Sequence, residues 1–138
     1  VNRKDFQKLA ALRLKEANIL RAAGRWEGAY HLGGYAVECA IKACIAKLTK
    51  RHDFPTRQDR ENDCYTHDFN KLVRLAGLAK SLKEMERTHP ALNANWTIVR
   101  QWPAESRYET PSRADAQDPL GAVEEVKHGV LRWLKQYW

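Results

Sequence analysis

The chain has 138 residues, 43% of them hydrophobic and 30% charged, with a formal charge of +7 at pH 7. That length and balance fit one globular domain with a substantial core, and they exclude both a disordered tail and a scaffold that needs metal or disulfide staples. They exclude a membrane span as well, because the most weakly polar run, 29–46, is interrupted by His31, Glu38 and Lys42.

Residues 5–23 read as the first helix. They lack Gly and Pro, and Phe6, Leu9, Ala10, Ala17 and Leu20 fall near one stripe that Leu12 and Ile19 widen. Asn2 suits the cap, and Ala23-Gly24 supplies a stop. The second helix is expected from 25 or 26 to 50, with apolar residues in helical phase from Trp26 to Leu48. Its wide apolar girth predicts a central, buried rod. Gly33-Gly34 costs that rod about 1 kcal/mol per glycine, so the pair implies close packing or a kink. Cys39 and Cys44 lie inside it. With Cys64 they make an odd set without metal-ligand spacing, which reads as buried free thiols in a reducing cytoplasm.

Residues 51–66 read as a charged loop around Pro55. A short helix is expected over 67–76, ended by Gly77, with Phe69, Leu72, Val73 and Ala76 inward. Further short helices are expected over 78–87 and 92–102, the latter bracketed by Pro90 and Pro103. Residues 103–117 read as irregular. A last helix follows over 118–138, with Asp118 as cap, Pro119 at the first helical position and Val123, Val126 and Val130 on its inner stripe. Glu124 and Glu125 then fall towards its positive end. Nowhere does a period of two persist long enough for a sheet strand. The fold class that follows is all-α, an up-and-down four-helix bundle with extra short helices.

Charge is uneven. Seven bases against Asp5 and Glu16 leave +5 over residues 1–25, whereas 53–66 carries −2 and 118–138 is neutral. A basic first helix suits an acidic partner such as RNA, and equally suits a solvated helix face. There are five tryptophans. Trp96, Trp102, Trp133 and Trp138 are more large aromatics than a thin bundle easily absorbs, which predicts a homodimer.

Several segments in order resemble one known family. Ala23-Gly24-Arg25-Trp26-Glu27-Gly28-Ala29 followed by Tyr35-Ala36-Val37-Glu38-Cys39-Ala40-Ile41-Lys42-Ala43 resembles the first two helices of HEPN domains. His67-Asp68-Phe69 up to Leu72 is similar to the His-Asp-Leu segment opening that family's third helix. Ser106-Arg107-Tyr108 is similar to the Arg-Tyr before its last helix, with Glu109 where many members have Pro. The resemblance implies a helical bundle of four or five helices, often dimeric and often encoded beside a minimal nucleotidyltransferase. Some members are metal-independent endoribonucleases acting as toxins or antiviral effectors, and others are non-catalytic binding subunits.

The ribonuclease branch uses an Arg, four to six residues, then a His at the start of the last long helix. Here His128 has no arginine among residues 119–127. Arg60 and His67 match the spacing but stand before the third helix, where a solvated loop residue and a helix-start histidine explain them as well. Arg107 can grip a phosphate and Tyr108 can stack on a base, or the two can pair with a bundle acid such as Glu38 and pack the loop. Glu38, flanked by apolar surface, needs a partner, and Lys42 at i+4 has the favourable order. His31 shares its face without reaching it as a metal pair. The catalytic candidates are therefore Arg107, Tyr108, His67 and Arg60, and the binding candidates Arg107, Tyr108, Glu38 and Lys42. No metal or cofactor is expected. The leading expectation is a non-catalytic subunit for a minimal nucleotidyltransferase, a nucleotide or RNA. The alternatives are a divergent ribonuclease with a site across the dimer, and a purely structural dimerisation module.

Overall fold

A computed structural model describes residues 1–48, 65–102 and 110–138. Seven helices occur among these residues and no strand: α1 Arg3–Ala22, α2 Trp26–Lys47, α3 Phe69–Leu75, α4 Ala79–Thr88, α5 Pro90–Val99, α6 Arg113–Glu124 and α7 Val130–Lys135. None is long and apolar enough to cross a membrane.

The start of α1 is a reciprocal capping box. Asn2 Oδ1 accepts from the Asp5 N–H at 3.0 Å, and Asp5 Oδ2 accepts from the Asn2 N–H at 2.9 Å. Two orphan donors are thereby satisfied, so the helix begins at Arg3, two residues before the sequence reading places it. Gly24, at φ +74°, lets the chain reverse into α2. Small side chains then let the two rods close on each other. Ala10 and Ala17 of α1 and Ala29, Ala40 and Ala43 of α2 are fully buried, and a methyl on Gly28 would stand 2.8 Å from Leu20 Cδ1. Leu12 and Ile19 are the correction here: they stay 48% and 59% exposed rather than joining the inner stripe.

Helix α2 is the central rod, packed against α1, α3, α6 and α7. Tyr30, Val37, Ile41 and Cys44 are almost wholly buried along it. Its glycine pair marks a close approach. A methyl on Gly33 would meet Leu120 at 2.7 Å and the Trp102 ring at 2.9 Å, and one on Gly34 would meet Trp102 Nε1 at 2.8 Å. The Nε1-bearing edge of the indole thus lies against bare backbone. Two reciprocal bonds fix it there, Trp102 Nε1–H to the Tyr30 carbonyl at 3.0 Å and Tyr30 O–H to the Trp102 carbonyl at 2.8 Å.

The C-terminal third departs most from expectation. Helix α6 starts at Arg113, capped by Ser112, whose hydroxyl accepts from Asp115 N–H while Asp115 Oδ2 accepts from Ser112 N–H at 2.8 Å. This box satisfies two donors and pre-empts the Asp118-Pro119 signal six residues on. Pro119 therefore sits inside the helix, buried with Ala116, Leu120 and Val123, and that burial offsets the loss of one helical hydrogen bond. The helix ends at Glu124, a turn occupies 125–129, and Val126 points outward at 79% exposure instead of inward. Glu124 and Glu125 lie at the C-terminal end of α6, the reverse of the expected dipole arrangement. Likewise Pro90 opens α5 at its first position rather than preceding it.

Trp96, Trp102 and Trp133 are all buried within one chain, and Trp26 and Trp138 are half-buried. Trp96 and Trp133 pack at a centroid separation of 6.1 Å. The single chain therefore absorbs the aromatic excess on which the sequence-based argument for a dimer rests.

Candidate functional site

One face of α2 carries His31, Tyr35, Glu38 and Lys42 at spacings of four, three and four, so their side chains line a single ridge. Beside this ridge lies a cleft of about 370 Å³, walled by Tyr30, Tyr35, Phe69 and Trp102 and edged by His31, Glu38 and His67. Trp102 and Tyr30 form its floor, with ring centroids 5.6 Å apart. The Arg13 guanidinium of α1 stands 5.8 Å from the Tyr35 ring, a cation–π arrangement that ties the ridge to the first helix.

Glu38 organises the polar end. It is buried, with only 8% of its surface exposed, and it has the partners a buried carboxylate requires. Lys42 Nζ donates to Oε1 at 2.6 Å, the i,i+4 pair expected from the sequence. His67 Nδ1 lies 3.0 Å from both carboxylate oxygens. Local chemistry aims His67 there. Asp68 caps α3 by accepting from Asn70 N–H at 3.0 Å and Lys71 N–H at 3.3 Å, and Phe69 immediately after is driven into the core. The imidazole is thereby held between a fixed cap and a buried anion. Its Nδ1 edge faces Glu38 while most of the ring, 77% exposed, remains open. In a neutral ring whose Nδ1–H donates to the carboxylate, the lone pair falls on Nε2.

Burial pushes the Cys39 thiol up to about 11, with the neighbouring Glu38 adding to the rise against the Tyr35 hydrogen bond. Tyr35 is raised too, first by Cys39 and then by burial. Both groups are therefore protonated at neutral pH, so Cys39 offers no thiolate nucleophile. Cys39 and Cys44 are free and buried, as their helical apolar setting predicts. Among the described residues no group of three His, Cys, Asp or Glu side chains is placed to hold a metal ion.

Of the sequence candidates, the structure brings Glu38, Lys42 and His67 together. Arg60, Arg107 and Tyr108 lie outside the described residues. The sequence reading missed the Glu38–His67 pairing and the aromatic walls. The 31-35-38-42 ridge was available from spacing alone, but nothing in the chain signals a partner 29 residues away.

No protein-family model, curated protein or solved structure matches the chain.

Proposed function

We propose that this chain is a HEPN-type domain, an up-and-down four-helix bundle with extra short helices, that binds the base of a nucleotide or RNA between α2 and α3. In this reading it serves as a non-catalytic subunit beside a partner such as a minimal nucleotidyltransferase. The supporting observation is the cleft itself, whose walls are aromatic and whose open end is the Glu38–His67 pair. Of these aromatic side chains Tyr35 is the exposed one, and a base stacked on it gains about 1–3 kcal/mol. A carboxylate-anchored imidazole adds a hydrogen-bonding edge that can select among rings. The experiment uses adenosine and uridine, which carry a base and no phosphate. Titration followed by tryptophan fluorescence and amide chemical shifts is expected to saturate with shifts around Tyr35 and His67. Tyr35→Ala is expected to weaken binding about tenfold, the equivalent of one stacking contact. Absence of any saturable shift at these residues refutes the reading.

One observation favours a second reading, a metal-independent ribonuclease. A histidine anchored through Nδ1 and open at Nε2 is the arrangement that general-base chemistry needs. In that reading Arg107, Tyr108 and Arg60 join His67 in a site across the dimer. Incubation with varied RNAs in the absence of metal decides the matter. Cleavage that disappears in His67→Ala replaces the non-catalytic reading, and intact RNA retains it. The cleft with its polar Glu38–His67 end and the half-buried Trp26 and Trp138 weigh against a purely structural dimerisation module. The homodimer is part of the proposal, and a concentration-independent monomer in sedimentation removes it.

A further inference from the structure

A separate cleft of about 570 Å³ opens between α4, the junction of α4 and α5, and the turn leading into α7. Its rim is cationic. Its three cations are Lys80 from α4 and Lys127 and Arg132 from the turn and α7, with His89 from the junction and His128 from the turn beside them, and all five side chains are exposed. Among the described residues the one acid lining the cleft, Glu84, already has Arg87 at 2.7 Å. Beneath the rim, Met85, Leu92 and Trp133 are buried, and Trp133 meets the half-buried Tyr137 edge to face at 5.8 Å. Three cations above an apolar, aromatic floor are complementary to a phosphate joined to a planar base.

The cations on the turn are presented by a fixed backbone. Glu125 spends its carboxylate on the His128 N–H, and its carbonyl accepts from Gly129 N–H at 2.8 Å. From α5, Asn95 Nδ2 donates to the His128 carbonyl at 2.8 Å. A methyl on Gly129 would stand 2.4 Å from the Glu125 carbonyl oxygen, so the turn admits only glycine there. One Arg132 guanidinium nitrogen donates to the Val126 carbonyl at 2.7 Å, which orients the planar fork and leaves other N–H groups for a ligand.

We infer that this cleft binds the phosphate groups of a nucleoside phosphate or of single-stranded RNA, through Lys80, Lys127 and Arg132, with Tyr137 against the base. The residues are distinct from those of the α2–α3 cleft, so the two sites stand or fall separately. A nucleoside without phosphate probes the first site, and salt-dependent binding of a phosphate-bearing ligand probes this one.

The test measures anisotropy of a labelled oligouridylate on the full chain across a salt series, with ADP as competitor. Affinity is expected to fall with salt, with a slope of about 0.7 per neutralised phosphate on a single strand. Reversing the two turn cations (Lys127→Glu with Arg132→Glu) is expected to weaken binding at least about tenfold and reduce the slope by about 1.4, two phosphate contacts being lost. Should that variant fail to fold by circular dichroism, the milder pair Lys80→Gln with Lys127→Gln is expected to lower both quantities in the same direction. Displacement of the RNA by ADP identifies a free nucleotide phosphate as sufficient, whereas RNA binding that ADP does not disturb identifies the strand. The inference is overturned if neither probe binds at low salt, if oligoglutamate binds as tightly as oligouridylate, or if the cleft variants bind like wild type. It is overturned equally if Lys4→Glu with Lys8→Glu on α1 weakens binding as much, because net charge would then account for the effect.

Discussion

Replacing Gly34 by alanine sets two known effects against each other. In a helix interior, alanine is favoured over glycine by about 1 kcal/mol, so propensity alone predicts a more stable protein. Packing predicts the opposite. The new Cβ would stand 2.8 Å from Trp102 Nε1 and 3.0 Å from its Cδ1, and the indole is pinned by reciprocal hydrogen bonds to Tyr30. To clear the methyl the ring must lift from α2, stretching the Nε1–H bond to the Tyr30 carbonyl. An orphaned buried donor costs about 1–3 kcal/mol, and overpacking a well-filled core costs about 1–3 kcal/mol more. Packing therefore wins, and Gly34→Ala is expected to destabilise by about 1–5 kcal/mol net of the propensity gain. Gly28→Ala is the internal control. Its Cβ would meet Leu20 Cδ1 at 2.8 Å, the free end of a half-buried side chain that can swing aside, so little of the propensity gain is lost. Urea denaturation of both variants, read by far-ultraviolet circular dichroism, supplies the comparison. A Gly34→Ala protein stabilised as much as Gly28→Ala would refute the claim that Trp102 is seated on bare helix backbone.

The remaining expectations concern the carboxylate, the thiols and the last two helices. Glu38→Ala leaves Lys42 in a half-buried position without this carboxylate, and is expected to cost about 2 kcal/mol, below the range for fully buried pairs because His67 is largely exposed. Thermal unfolding with Glu38→Ala no less stable than wild type would contradict this. Burial pushes Cys39 to about 11 and Cys44 to about 12, from an ordinary value of 9.0. Their contribution is fully present below the unfolded value and is lost as pH rises towards the folded values. Relative to the Cys39→Ala, Cys44→Ala protein, wild type should therefore lose stability above about pH 9, by up to about 1.4 kcal/mol per pH unit for each thiol. A stability difference that stays flat from neutral to alkaline pH counts against it. Ser112→Ala is expected to cost about 1 kcal/mol while Asp118→Ala stays within about 0.5 kcal/mol, and the reverse order in chemical denaturation would restore the later helix start. Gly129→Ala pushes a methyl into two backbone carbonyls, 2.4 and 2.6 Å away, and is expected to destabilise by more than about 2 kcal/mol, with melting temperature as the readout.

Much of the molecule is legible in the chain because its determinants are local. Asn2 and Asp5 cap α1 through contacts three residues apart. Gly24 and Gly77 end helices by a conformation that glycine adopts without strain, at φ +74° in both cases. The Glu38–Lys42 pair follows from one turn of helix. Legibility fails where two local signals compete. Both Ser112-x-x-Asp115 and Asp118-Pro119 are sound helix starts, and choosing between them depends on whether burying Ala116 and Pro119 offsets a missing backbone donor. Val126 fits the inner stripe of an unbroken helix, and only the clamp of Asn95 and Glu125 on the 125–129 turn puts it outside.

By itself, then, the sequence determined the helical class, the central position of α2, the buried thiols and the need of Glu38 for a partner. These are properties of periodicity, composition and near-neighbour chemistry, which act over one or two turns. The tertiary structure decided that Trp102 fills the space beside Gly33 and Gly34, that His67 is the second partner of Glu38, and that cations from α4 and α7 share one cleft. Those pairings join residues 29 or more positions apart. They are set by which buried faces pack best together, a property of the folded whole that no local pattern encodes.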